Sequence, residues 1–143
     1  MPELIAYLLP NDWRISFPKE WSNECEQYPE GNQFLFYPKD DDLTFRITSF
    51  CVSNESKYAP IEVLCDVFQD KCKQLKKSKV IQLINCGFKI ECFEGHIREG
   101  WKKVRWVSIG VMVEGFLLIV NVFATRRNSI EKNINYLNTI CRV

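Results

Sequence analysis

The stretch that decides the fold is Trp101-Lys102-Lys103-Val104-Arg105-Trp106-Val107-Ser108-Ile109-Gly110-Val111-Met112-Val113-Glu114-Gly115-Phe116-Leu117-Leu118-Ile119-Val120-Asn121-Val122-Phe123-Ala124. Two long apolar runs flank an acid–glycine pair. An Xaa-Gly pair between apolar runs is a hairpin turn, so 101–113 and 116–124 read as antiparallel neighbours. From 116 to 123 nearly every side chain is apolar, which marks a central strand covered on both faces. Asn121 interrupts the run long before it reaches the length of a membrane span.

Working upstream, Cys86, Phe88, Ile90 and Cys92 share one face of a strand, with Lys89 and Glu91 opposite. A loop over 95–100 joins it to 101–113, giving a three-strand meander. Residues 80–84 are a strand or a lead-in to it. Before them, Pro60 suits the first position of a helix. Ile61, Leu64, Cys65, Phe68, Cys72 and Leu75 then recur at helical spacing, so the pattern predicts an amphipathic helix over about 60–77. Its acids come early and its lysines late, which complements the helix dipole.

Further upstream, 33–37 and 43–50 form a hairpin around Pro38 and Asp40-Asp41-Asp42. Leu43, Phe45 and Ile47 share one face. Trp13-Arg14-Ile15-Ser16-Phe17 alternates as a half-buried strand and Pro18 ends it. Residues 19–32 read as a loop or one short helical turn. The first ten residues lack the basic start and small-residue cleavage site of a signal peptide, and read as part of the fold. Downstream, Asn128 with Glu131 has capping-box spacing. Ile130, Ile134, Leu137 and Cys141 follow as an apolar stripe, predicting a helix over about 128–141. The fold class expected is α+β: one antiparallel sheet of six or seven strands, with both helices packed on it.

The chain has 143 residues, 46% hydrophobic and 26% charged, which is the profile of a single globular domain over 1–143. Its seven cysteines are odd in number and show no C-x-x-C pair. Several take core positions of periodic patterns, so they read as reduced and buried, and the expected compartment is the cytoplasm. Net charge is +1, but residues 1–70 carry 13 acidic and 5 basic side chains, and 71–143 carry 5 and 14. A basic binding face is one meaning of that asymmetry. The reading preferred on sequence is that the halves interleave in the sheet and their charges mix.

The order of elements, together with the opening Ile15-Ser16-Phe17-Pro18-Lys19-Glu20-Trp21, resembles the PsbP/Mog-like superfamily. The likeness implies a bacterial member of unknown function. It also implies a role in binding other proteins, because members are mostly non-catalytic.

No residue set for chemistry stands out. His96 is the sole histidine, so any Ser-His or Cys-His mechanism has to use it. Cys86 and Cys92 lie about 20 Å apart along one strand, too far to share a metal within it. The acids at 40–42 lack the spacing of a calcium loop. No catalytic, cofactor-binding or metal residue is assigned, and no cofactor is expected. Basic clusters at 71–79 and 102–105, the second interleaved with Trp101 and Trp106, resemble a single-strand nucleic-acid surface. The near-neutral total charge argues against it. The proline-rich first third gathers Trp13, Trp21, Tyr28, Tyr37 and Tyr58, the residue types of interface hot spots.

The function expected is therefore a non-enzymatic protein-binding module, of adaptor or immunity type, with those five aromatics as the partner surface. The partner is another protein of unknown identity, and a homodimer is compatible with that. Nucleic acid is disfavoured and no membrane is expected. The alternatives are a small enzyme using His96 and a nucleic-acid-binding domain using the two basic clusters.

Overall fold

The computed structural model describes residues 2–29, 31–51, 76–77, 88–113, 115–126 and 128–143. Ten strands are described: β1 Leu4–Leu8, β2 Trp13–Pro18, β3 Ser22–Tyr28, β4 Gly31–Tyr37, β5 Leu43–Cys51, β6 Lys76–Lys77, β7 Lys89–Glu99, β8 Lys102–Val113, β9 Phe116–Ala124 and β10 Cys141–Arg142. They build a seven-stranded sheet of order β3-β4-β5-β9-β8-β7-β6 and a three-stranded sheet of order β1-β2-β10. Every pairing is antiparallel. One short helix, α1 Ser129–Asn133, runs into a 3-10 turn, Ile134–Thr139.

Alternation explains the layers. Leu43, Phe45 and Ile47 of β5 point to one face of the large sheet, and Val120 and Val122 of β9 with Val107, Ile109 and Val111 of β8 share it. Trp13, Ile15 and Phe17 of β2 meet that face from the small sheet, and Ile130 and Leu137 close one side. All three β2 residues are fully buried. Phe17 stacks on Phe36 at 4.6 Å and reaches Phe45 at 5.1 Å, so it joins the two sheets. The central place expected for β9 holds: it lies between β5 and β8, with Leu117 and Ile119 buried on its other face.

Several expectations are corrected, the first being the single sheet, since β1, β2 and β10 form a sheet of their own. The described chain is mainly β, and the helix over 60–77 is not supported. Lys76 and Lys77, its last two residues, form β6 against Phe93 and Glu94, and the rest of that span lies outside the described residues. The C-terminal helix is shorter than 128–141. Asn128 sits at φ 70° without a side-chain cap bond, α1 ends at Asn133, and Cys141 belongs to β10. The stripe itself is right, since Ile130, Ile134 and Leu137 are buried.

The segment 19–32 is the β3–β4 hairpin and not a loop. An edge strand wetted on both sides carries no apolar alternation, so β3 reads as polar chain. Residues 95–99 continue β7, and the loop shrinks to Gly100-Trp101. Gly100 takes φ 65°, the left-handed conformation that a two-residue hairpin turn demands of its first residue.

The cysteines divide. Cys92 is buried as expected, Cys25 and Cys51 are exposed and Cys141 is half-buried; Cys65, Cys72 and Cys86 lie outside the described residues.

Candidate functional site

The β7–β8 hairpin is longer than its neighbour. β9 pairs with β8 only from Arg105 onward, while β7 and β8 pair out to Glu99 and Lys102. Three residues of β8 therefore project past the end of β9, roughly 10 Å at strand rise. At the tip stands Trp101, 88% exposed. The Lys102 ammonium lies 5.9 Å from its ring centre. Arg98, Lys102 and Lys103 are exposed around it.

Behind the tip a cleft of about 430 Å³ opens on the outer face of the large sheet. Ile97, Val104 and Phe123 supply its apolar lining, and Arg46, Lys102, Asp42 and Glu99 its charged groups. Arg46 lies over the Phe123 ring at 5.9 Å and bonds to Gln33 at 3.3 Å. Beneath, the buried Asn121 carbonyl accepts from the Trp106 indole at 2.8 Å and the Ser108 hydroxyl at 2.6 Å. A buried polar group needs such partners, and here they fix the floor of the cleft.

On the opposite face Arg105 donates to Glu94 of β7 at 2.5 Å and to Glu131 of α1. Burial opposes the charge on Arg105, but the two bonds outweigh it and raise its pKa. Burial likewise opposes ionisation of Glu131. The bond from Arg105, a backbone bond and the cation's attraction prevail and lower its pKa.

The five aromatics of the first third do not form one surface. Trp13 is buried beneath Phe88 and the Arg142 guanidinium, where no partner reaches it. Trp21 is half-buried, stacked on Phe17 at 5.2 Å and Phe45 at 5.6 Å. It borders a shallow depression with Pro38, Asp40, Asp41 and Arg126. Tyr28 and Tyr37 lie on the opposite side of the sheet. Bonds to Glu26 and Glu24 are the first cause of the raised pKa of each. Tyr58 lies outside the described residues. Of the five, Tyr28 is the well exposed one among the described residues, at 47%.

His96 is exposed on β7 and lines neither cleft. The acidic turn is less free than its sequence implied, since Asp42 accepts from Thr125 and Asp41 from Ser129 at 3.2 Å. Among the described residues no three His, Cys, Asp or Glu side chains could hold a metal ion together. Within the basic cluster at 71–79, the described Lys76 is exposed on β6.

The charge halves do not interleave in the large sheet. β3, β4 and β5 occupy one side and β6 to β9 the other. Glu24 and Glu26 therefore lie on other strands than Lys76, Arg98, Lys102 and Lys103, while Asp42 and Lys102 meet in the lining of the cleft. The interleaving expected from sequence fails because β9 returns beside β5, and charges of the two halves meet where Asp42 and Arg46 share the cleft with Glu99 and Lys102. Sequence reasoning set Trp101 among basic residues but did not single it out as an exposed ring. The signal available was Gly100-Trp101, a hairpin loop with no apolar neighbour to bury the ring.

A two-sheet antiparallel β architecture with a short C-terminal helix defines the class of the chain. Its likeness to solved structures places it more closely. Cyanobacterial PsbP from Synechocystis sp. PCC 6803 superimposes with a TM-score of 0.70 at 10% identity, over 100% of this chain and 94% of that one. LpqN of Mycobacterium tuberculosis, described as involved in cell envelope biogenesis, gives 0.56 at 14% identity, over 96% and 86%. A protein of Bacteroides thetaiotaomicron VPI-5482 gives 0.64 at 16% identity over 96% of this chain, which spans 48% of that protein. The chain has the PsbP-like fold that its opening and element order resemble. No family model and no curated protein matches the sequence.

Proposed function

We propose that this chain is a non-enzymatic protein-binding module, of adaptor or immunity type, working in the cytoplasm through the tip of its β7–β8 hairpin. The observation that carries the reading is Trp101, 88% exposed on a two-residue turn. Tryptophan is mostly buried in folded chains and is the leading hot-spot residue of interfaces. Burying a large ring against a partner gains roughly 2–3 kcal/mol. Arg98, Lys102 and Lys103 around it favour a partner with an acidic face and speed the encounter. The cleft behind, lined by apolar and charged side chains together, gives a partner a recess beside the ring.

The test is capture from lysate of the native cell, using the whole chain and its Trp101→Ala variant, with and without nuclease. The expected result is one protein held in stoichiometric amount, indifferent to nuclease and lost with Trp101→Ala. The variant keeps its melting temperature, because the ring touches little of its own fold. Undiminished capture by Trp101→Ala would remove the tip from the interface.

A second reading has its own support. Trp101 beside Arg98, Lys102 and Lys103 is also the pattern of a single-strand nucleic-acid contact, a stacking ring within a basic field. Nuclease-sensitive capture, weakening steeply with salt, would decide for it.

A further inference from the structure

The small sheet ends in β1, whose outer edge has no partner among the described residues. The hydrogen-bonding parity of that edge is fixed. The amide of Leu9 donates to the Trp13 carbonyl at 2.7 Å, and that of Lys19 to the Glu3 carbonyl at 2.8 Å. Antiparallel ladders alternate, so Glu3, Ile5, Tyr7 and Leu9 bond inward to β2. The N–H and C=O groups of Leu4, Ala6 and Leu8 point outward from the sheet.

Edge strands are usually blunted by charge, proline or a bulge. β3, one edge of the large sheet, follows that rule with Glu24 and Glu26. The inner strand β2 is closed too. Its Ser16 amide bonds to the Thr139 hydroxyl at 2.8 Å, and Pro18 has no amide to satisfy. β1 alone among these is uncharged and apolar from end to end, with Leu4 44%, Ile5 37% and Leu8 69% exposed.

We propose that two copies of this chain join edge to edge through β1, antiparallel about a dyad at Ala6, so that the three-stranded sheets merge into one. The sequence 2–10 is nearly symmetric about Ala6. The dyad sets Leu4 against Leu8 of the second copy on one face and Ile5 against Tyr7 on the other. Ala6 meets Ala6 at the axis, where the small side chain admits close approach. Pro2 and Pro10 bracket the strand, each without a donor, so the new ladder stops at the same point on both sides. The outward groups of Leu4, Ala6 and Leu8 fall at hydrogen-bonded positions in this register and satisfy one another. No other antiparallel register of this strand with itself matches its large residues and its prolines at once. An isologous pair of this kind closes on itself and leaves no edge for growth. This surface lies in the other sheet from Trp101, so the pairing does not depend on the hairpin tip.

The test is molar mass by size-exclusion chromatography with light scattering, up to high micromolar concentration, joined to amide exchange. The whole chain is expected to be a dimer with slow exchange at Leu4, Ala6 and Leu8 as well as at Ile5 and Tyr7. Ala6→Pro removes an outward donor without touching the β1–β2 ladder, and is expected to give a folded monomer. Leu4→Lys with Leu8→Lys is expected to be monomeric by like-charge repulsion. Leu4→Glu with Leu8→Lys is expected to regain the dimer, now weakened by salt. A monomer at every concentration, with protection confined to Ile5 and Tyr7, would overturn the pairing. So would a dimer that survives the double lysine variant, or a Glu–Lys variant that stays monomeric while folded.

Discussion

Asn121 shows how one side chain can hold a sheet face. It sits in the middle of β9, the most apolar strand, yet receives two hydrogen bonds on its carbonyl. Replacing it with valine takes that acceptor from both Trp106 and Ser108. We expect Asn121→Val to lose about 1–3 kcal/mol in urea unfolding despite the better β propensity of valine. Glu131 makes a second prediction. Its pKa is lowered in the fold, so its contribution is present above the ordinary carboxylate range and disappears as pH falls through the folded value. Glu131→Gln should therefore be less stable than the parent chain at neutral pH, and the gap should close on acidification. A gap that widened in acid would contradict the Arg105–Glu131 bond.

At the scale of elements, the small sheet depends on a side chain standing in for backbone. β10 reaches only to Cys141, and the Thr139 hydroxyl continues its ladder by accepting from the Ser16 amide. Thr139→Val keeps the shape and removes the oxygen. It should speed amide exchange at Ser16 and cost about 1 kcal/mol, leaving β5 and β9 protected. The alternation of β2, β5, β8 and β9 was legible in sequence, because each buries at least one face and shows it as period two or as an unbroken apolar run. β3 and β10 were not. β3 is wet on both sides, and a two-residue strand defined by residues more than a hundred positions away leaves no local pattern. The C-terminal stripe was legible as buried positions but not in length, since the helix gives way to a 3-10 turn at Ile134 and Cys141 is taken by β10. For the site, the basic and aromatic residue types at 101–105 could be read in the chain. That Trp101 would stand clear of the fold depended on β7–β8 outrunning β9, a non-local fact of register.

For the whole molecule, Phe17 is the joint. It belongs to the small sheet and packs against rings from β4 and β5 of the large one. Phe17→Ala should cost about 3–5 kcal/mol, with both sheets lost in a single transition when near- and far-ultraviolet dichroism are compared. The arrangement of β2 between β1 and β10 has a further consequence, for synthesis. The Arg142 guanidinium caps the Asn11 carbonyl at 2.9 Å across 131 positions of sequence. Synthesis runs from the N- to the C-terminal side, so β2 waits for its second flank until residues 19–140 have been translated. Nascent chains stalled before Cys141 should hold β1 and β2 as a loose hairpin, open to chaperones and proteases, and release should be followed by a slow closing phase set by that long loop.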